Sequence, residues 1–214
     1  SILVVVESLY SMEGSIAPLE KITKLCKKYN CKLLVDEAHA LGILGPQGKG
    51  LSNPFLDSIN IVSGTFGKAF GSGGAFLASN KKIGEILLQT SSPFRYTTAL
   101  SPSLAAGALK SLQIIEKNQK YGKNLLEISK IWKKEIESIG RYEVIGDAHI
   151  LSLIIGDEDE TMMMQKFLEV NGFLAVGIRP PTVPSGKSRI RLTIRNTLNQ
   201  NLLNKFISVL KAYK

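Results

Sequence analysis

Lys68 stands alone among small and aromatic residues in the stretch Gly64-Thr65-Phe66-Gly67-Lys68-Ala69-Phe70-Gly71-Ser72-Gly73-Gly74. A hydroxyl lies three positions before it and a glycine cluster follows. A solvated lysine in a turn needs no such neighbours. An amine that must stay unprotonated and attack a carbonyl does, because low polarity disfavours the ammonium form. Taken alone, the segment supports either reading. Upstream, the apolar run Leu33-Leu34-Val35 leads straight into Asp36-Glu37-Ala38-His39. A carboxylate and an imidazole at the end of an apolar strand can hold and move protons. Each also has a plain structural reading, Asp36 as a helix cap and His39 as a core histidine.

Two sharper chemistries compete for these residues. One is ATP hydrolysis by a DEAH-type helicase, whose box has this Asp-Glu-Ala-His at a strand end, with Ser63-Gly64-Thr65 resembling the short motif that follows. That chemistry needs a phosphate loop, G-x-x-x-x-G-K-[ST]. Around Lys68 the pattern fails twice, at Val62 where the first glycine belongs and at Ala69 where the hydroxyl belongs. The later arginine-rich helicase motif is not recognisable either. The other chemistry is that of pyridoxal 5'-phosphate (PLP), which needs a lysine to bond to its aldehyde and an acid against its pyridine nitrogen. It also needs phosphate donors and a polar group near its phenolic oxygen. Lys68, Asp36, Thr65 and His39 supply one residue for each role, and together they outweigh the separate structural readings.

The elements that must position these residues follow from the apolar pattern. Ser1 to Glu7 reads as a fully apolar strand, and Pro18 opens a helix with Leu19, Ile22, Leu25 and Cys26 on its apolar stripe. Lys32–Val35, Ile59–Val62 and Ala75–Ala78 read as further strands. Strands alternating with helices argue for an α/β sheet with ligands beyond the carboxyl ends of the strands. Glu7, Asp36 and Thr65 all lie just past such ends. From Pro102 to about Ser138 the pattern is helical, with Trp132 as core. Beyond it come strands at 150–155, 173–178 and 188–194 and helices at 161–170 and 199–211, with Met162-Met163-Met164 filling core gaps. This predicts a large domain in residues 1–120, followed by the long helix's end and a small α/β domain in 121–214.

Composition sets the frame. The chain has 214 residues, 44% hydrophobic and 21% charged, which suits a globular protein with a substantial core. Its net charge of +9 comes from lysines spread along the chain, which fits anionic substrates better than a nucleic-acid stripe. The two cysteines, Cys26 and Cys31, match reduced thiols in a cytoplasmic protein rather than a disulfide framework or a metal site. No apolar run approaches a membrane span and no signal peptide is visible.

Four stretches together resemble the α-oxoamine synthases, PLP enzymes that condense an amino acid with an acyl-CoA and release carbon dioxide. They are "ESLYSMEGSIAPL", "LLVDEAHALGILGPQGKG", "GTFGKAFGSGGAFLAS" and "RYTTALSP". Within the family, "GIRPPTVPSGKSRIRLTI" looks most like the biotin-pathway branch that joins L-alanine to a pimeloyl thioester of CoA or acyl carrier protein. Sister branches are glycine C-acetyltransferase and serine palmitoyltransferase, and a non-catalytic partner subunit is a further alternative, against which the retained Lys68 argues. The resemblance implies a fold-type-I transferase, with a mostly parallel large-domain sheet and a small carboxyl-terminal α/β domain. It implies Lys68 as the lysine bonded to the cofactor, Asp36 at the pyridine nitrogen and His39 by the phenolic oxygen. Thr65 and Ser11 match cofactor contacts. Thr97 and Thr98 match residues that reach a neighbouring subunit's phosphate, implying a homodimer with a shared site. Arg179 matches the residue gripping the amino acid's carboxylate and Thr182 a nearby substrate contact, while Glu7 has a matching position and an open role.

The chain departs from the family in two ways. Members are nearly twice as long, and what precedes the Glu7 strand, including the phosphate-binding loop and the histidine that stacks on the cofactor ring, has no counterpart here. "TIRNTLNQ" also replaces the usual alanine–histidine stretch after the last strand. The expectation is an amino-terminally truncated piece, inactive alone and carrying an exposed apolar sheet edge.

Overall fold

The computed structural model describes residues 2–213. They form two compact units, each discontinuous in sequence: 2–9 with Ala17–Gly122, and Tyr10–Ile16 with 123–213.

In the first unit, β1 (Leu3–Glu7), α1 (Leu19–Lys28), β2 (Lys32–Asp36), β3 (Ile61–Thr65) and β4 (Ala75–Ser79) precede the helices α2 (Lys81–Thr90), α3 (Ser92–Arg95) and α4 (Pro102–Lys117). The strands form one sheet in the order β1-β2-β3-β4. The first two pairings are parallel and the last is antiparallel. Glu7 lies opposite Asp36, and Asp36 opposite Ser63, so β1 and β2 finish level while β3 runs two residues further, to Thr65. β3 starts two residues later than the apolar pattern suggests, for a local reason. Asn60 clasps Leu33 through its side-chain oxygen at 2.8 Å and its N–H at 2.9 Å, before the ladder proper begins. Leu33 and Val35 are fully buried, whereas Leu3 and Val5 on β1 are more than half exposed. β1 is therefore an exposed edge strand here. On α1 the buried residues are Leu19, Thr23 and Cys26, and Leu25 faces solvent. At 100° per residue, Leu25 lies about a third of a turn away from that stripe.

The second unit holds most of α5 (Lys120–Glu137), then β5 (Glu143–Ile145), β6 (Ile150–Gly156), α6 (Glu158–Val170), β7 (Val176–Ile178), β8 (Ser188–Thr193) and α7 (Gln200–Ala212). Its sheet is wholly antiparallel, in the order β5-β6-β8-β7. The long helical stretch expected from 102 to 138 is in fact two helices. α4 ends at Asn118, whose N–H and side-chain amide both bond back to Ile114. The core is aromatic, with Phe206 at 5.3 Å from Trp132 and 5.0 Å from Phe173, ring centre to ring centre. Of the three methionines in α6, only Met164 is core and Met163 is exposed. α6 is capped by the Asp157 carboxylate accepting from Glu160 N–H at 2.8 Å, with three acidic residues in its first turn favouring the positive end of the helix dipole. Among the described residues no helix is long and apolar enough to cross a membrane.

The segment Tyr10–Ile16 is held by residues far along the chain. Met12 O accepts from Ser152 Oγ at 2.9 Å, and Ser11 O accepts from Arg191 Nε at 2.7 Å. Asp147 accepts from Ile16 N–H through its carboxylate at 3.0 Å and donates its own N–H to Gly14 O at 2.8 Å. Arg189, 4% exposed, places Nη1 3.5 Å from the Glu13 carboxylate. Gly14 has φ of +69°, and a Cβ there would meet the Ile150 carbonyl oxygen at 2.1 Å. Only glycine fits this turn.

Candidate active site

Four of the expected site residues lie in the first unit, at or just past the carboxyl ends of β2 and β3. Asp36 is the last residue of β2, half-buried, and its Oδ1 accepts from Ala38 N–H at 2.8 Å. That bond bends the chain out of the strand as an Asx turn does. The turn continues through His39, with Ala40 and Leu41 N–H groups both bonding Glu37 O at 2.9 Å. Lys68 lies in the loop of the β3–β4 hairpin, whose ladder pairs Thr65 with Ala75. Its Nζ is 2.8 Å from His39 Nε2. An amine and an imidazole at that distance share one proton-carrying contact, with the donor set by the histidine's tautomer.

Phe66 and Phe70, which flank Lys68 in sequence, anchor the loop rather than shroud the amine. Their rings meet edge to face at 5.4 Å, and Phe66 also lies 5.4 Å from Phe76 of β4. Ser111 Oγ donates to Phe70 O and Ser72 Oγ donates to Leu104 O, each at 2.7 Å, stitching α4 to the same loop. Lys68 itself is exposed. The low-polarity surroundings expected from its neighbours are thus not supplied by burial among the described residues, because the aromatic rings pack on one another. Thr65 Oγ1 donates to Gly74 O and accepts from Gly67 N–H, both at 3.1 Å. Its hydroxyl closes the hairpin loop, a task the sequence did not reveal.

The remaining expected residues lie elsewhere. Thr97 and Thr98 are exposed in the first unit, in the segment between α3 and α4. Ser11, Arg179 and Thr182 belong to the second unit. Arg179 and Thr182 are exposed after β7, joined by Thr182 N–H to Arg179 O at 3.0 Å across a cis Pro180–Pro181 bond. Ser11 is half-buried in the pinned segment described above. Glu7, opposite Asp36, is also half-buried.

Glu37, read from sequence only as one letter of the Asp-Glu-Ala-His string, proves to be fully buried. Its carboxylate accepts from Ser8 Oγ at 2.7 Å and, over a very short contact, from Ser52 N–H. A helicase needs this acid beside its nucleotide, and here both oxygens face inward. No periodicity or spacing could have exposed this role, since both partners come from other loops.

Residues 1–210 match the family described as aminotransferase class I and II. Among curated relatives, the chain is 37% identical to the 8-amino-7-oxononanoate synthase of Nitrosospira multiformis over 91% of its own length and 50% of that protein's. It is also 37% identical to the synthase of the same name from Lysinibacillus sphaericus, over 97% and 54% respectively. Among solved structures, a serine palmitoyltransferase from S. paucimobilis with a bound PLP–myriocin aldimine superposes with a TM-score of 0.91 at 28% identity, over 98% of this chain and 54% of that one. The chain thus spans about half the length of the relatives it matches.

Proposed function

Because the chain belongs to the aminotransferase class I and II family, with the α/β fold of the fold-type-I transferases, we propose that it carries the PLP site of an 8-amino-7-oxononanoate synthase. The reaction would join L-alanine to a pimeloyl thioester of CoA or acyl carrier protein. A C–C bond forms at the thioester carbonyl, the C–S bond breaks to release the thiol, and the alanine carboxylate leaves as carbon dioxide. The observation that carries this reading is the Lys68–His39 contact beside Asp36, at the ends of parallel strands. The donor set fits PLP: a reachable primary amine, a carboxylate and an imidazole on two adjacent strand ends.

PLP, when bound, supplies an electron sink for the bonds broken at the amino acid's α-carbon. The chain's residues would do the rest. Lys68 would hold the cofactor covalently and, once released, take and return the proton at the substrate's α-carbon. Asp36 would keep the ring nitrogen protonated, and His39 would donate to the phenolic oxygen. Thr65 and Ser11 would contact the cofactor, Thr65 at the cost of rearranging its loop bonds. Arg179 would grip the amino acid's carboxylate with its planar guanidinium, aided by Thr182. Thr97 and Thr98 would serve the phosphate of a second copy, so that two chains share a site. The first unit would be the cofactor-binding large domain and the second the small domain. A cytoplasmic setting suits the two free cysteines. A serine palmitoyltransferase-like or glycine-using activity is the second reading, favoured by the superposition on serine palmitoyltransferase.

Adding PLP to the purified chain, reducing with borohydride and mapping the adduct by mass spectrometry tests the central assignment. The adduct is expected on Lys68 and lost in Lys68→Ala; labelling spread over surface lysines refutes it. Product analysis with alanine, glycine and serine then separates the branches.

A further inference from the structure

We propose that Glu37 is a positioning residue, the fixed pivot from which the turn carrying His39 is hung. Every polar group it has is engaged. Its N–H donates to Ser63 O of β3 at 2.8 Å, and its C=O accepts from Ala40 and Leu41 at 2.9 Å. One carboxylate oxygen accepts from Ser8 Oγ, just past β1, and the other from Ser52 N–H, two residues past Gly50. The residue is fully buried. It therefore ties the end of β1, the middle of β3 and the segment at Ser52 to one point, between Asp36 and His39 in sequence. Gly50 is shaped around it. With φ of +89°, a Cβ at that position would lie 2.7 Å from the Glu37 carboxylate carbon.

A buried carboxylate with both oxygens satisfied by donors from separate loops holds a rigid geometry, because losing it strands those donors. The turn that follows has His39 at its outer end, two residues on, where Nε2 meets Lys68. Glu37 thus sets where the imidazole stands without touching substrate or cofactor. The inference deepens the site proposed above, but it can be read without cofactor.

The chain has two histidines, His39 and His149, one in each unit, so the ring nitrogens of both are resolvable by NMR and His149 is an internal control. Glu37→Ala is expected to move the His39 ring resonances while those of His149 stay in place. Glu37→Gln is expected to restore them, since an amide can accept from Ser52 N–H and donate to Ser8 Oγ. Ser8→Ala, which removes one of the two carboxylate partners, is expected to give an intermediate shift. In PLP titrations Glu37→Ala should weaken binding about tenfold or more, equivalent to about 1.4 kcal/mol, with Glu37→Gln near wild type. A folded Glu37→Ala with unmoved His39 resonances overturns the proposal, as does a Glu37→Gln no better than alanine. If Glu37→Ala does not fold, an unmoved His39 in Ser8→Ala overturns it instead. Failure of wild-type chain to bind PLP would overturn the proposed function and leave the histidine result standing by itself.

Discussion

Phe206 joins Trp132 and Phe173 in the aromatic core of the second unit, and its removal gives a sharp test of how that unit is built. The ring is 1% exposed and packs against both Trp132 and Phe173, three residues before β7. Truncating a buried phenylalanine to alanine costs about 3–5 kcal/mol, through lost transfer energy and the cavity left behind. That is about a fifth or more of the roughly 5–15 kcal/mol that holds a typical domain together. For a unit of this size, the urea dependence is about 1–2 kcal/mol per molar, so the midpoint should fall by about 1.5 M or more. Trp132 is the sole tryptophan and is 5% exposed, so its fluorescence reports this unit alone. Phe206→Leu keeps much of the apolar volume but loses the ring pairings, worth about 0.5–1.5 kcal/mol each, and should fall in between. A midpoint in Phe206→Ala within about 0.5 M of wild type would show that the aromatic cluster does not carry the core.

Two other perturbations follow from local geometry. Burial pushes the phenols of Tyr142 and Tyr213 above their usual value of about 10, so the folded chain holds these protons when the unfolded chain has released them. The stability they contribute is therefore intact below about pH 10 and is lost as pH rises past it; Tyr142→Phe should flatten the alkaline fall in melting temperature, and an unchanged slope would contradict the cause. Gly14→Ala forces a side chain into a left-handed turn against the Ile150 carbonyl and should lower the melting temperature by about 5 °C or more, while Gly140→Ala, where a Cβ meets nothing within 4 Å, should cost less. Equal losses at the two glycines would remove steric contact as the explanation.

What the sequence conveyed well was whatever depends on near neighbours. The apolar runs of β1, β2 and β4 and the capped α6 lie about where their patterns place them, and Asp36, His39 and Lys68 are all on strand-end turns. What it hid depends on distant partners. The break at Asn118 is made by side-chain and backbone bonds that helical periodicity does not encode. The antiparallel β4 follows from the hairpin that carries Lys68, not from its composition. Three-residue β5 is too short to show alternation. Glu37's burial requires Ser8 and Ser52 from other loops, and Thr65's hydroxyl is committed to a glycine nine residues on.

The interrupted path of the chain bears on how the molecule can be cut and recombined. A seven-residue excursion, Tyr10–Ile16, belongs to a unit whose bulk begins only at Lys123. Severing the backbone at the junction and keeping 123–214 would discard the Ser11 and Met12 carbonyls that accept from Ser152, Arg189 and Arg191, and the groups that answer Asp147. The carboxyl-terminal piece is therefore not a cassette. Any graft, swap or circular rearrangement that is to preserve it must carry the Tyr10–Ile16 strip along, and the shortest portable version is one in which that strip is stitched back onto 123–214 by a new linker.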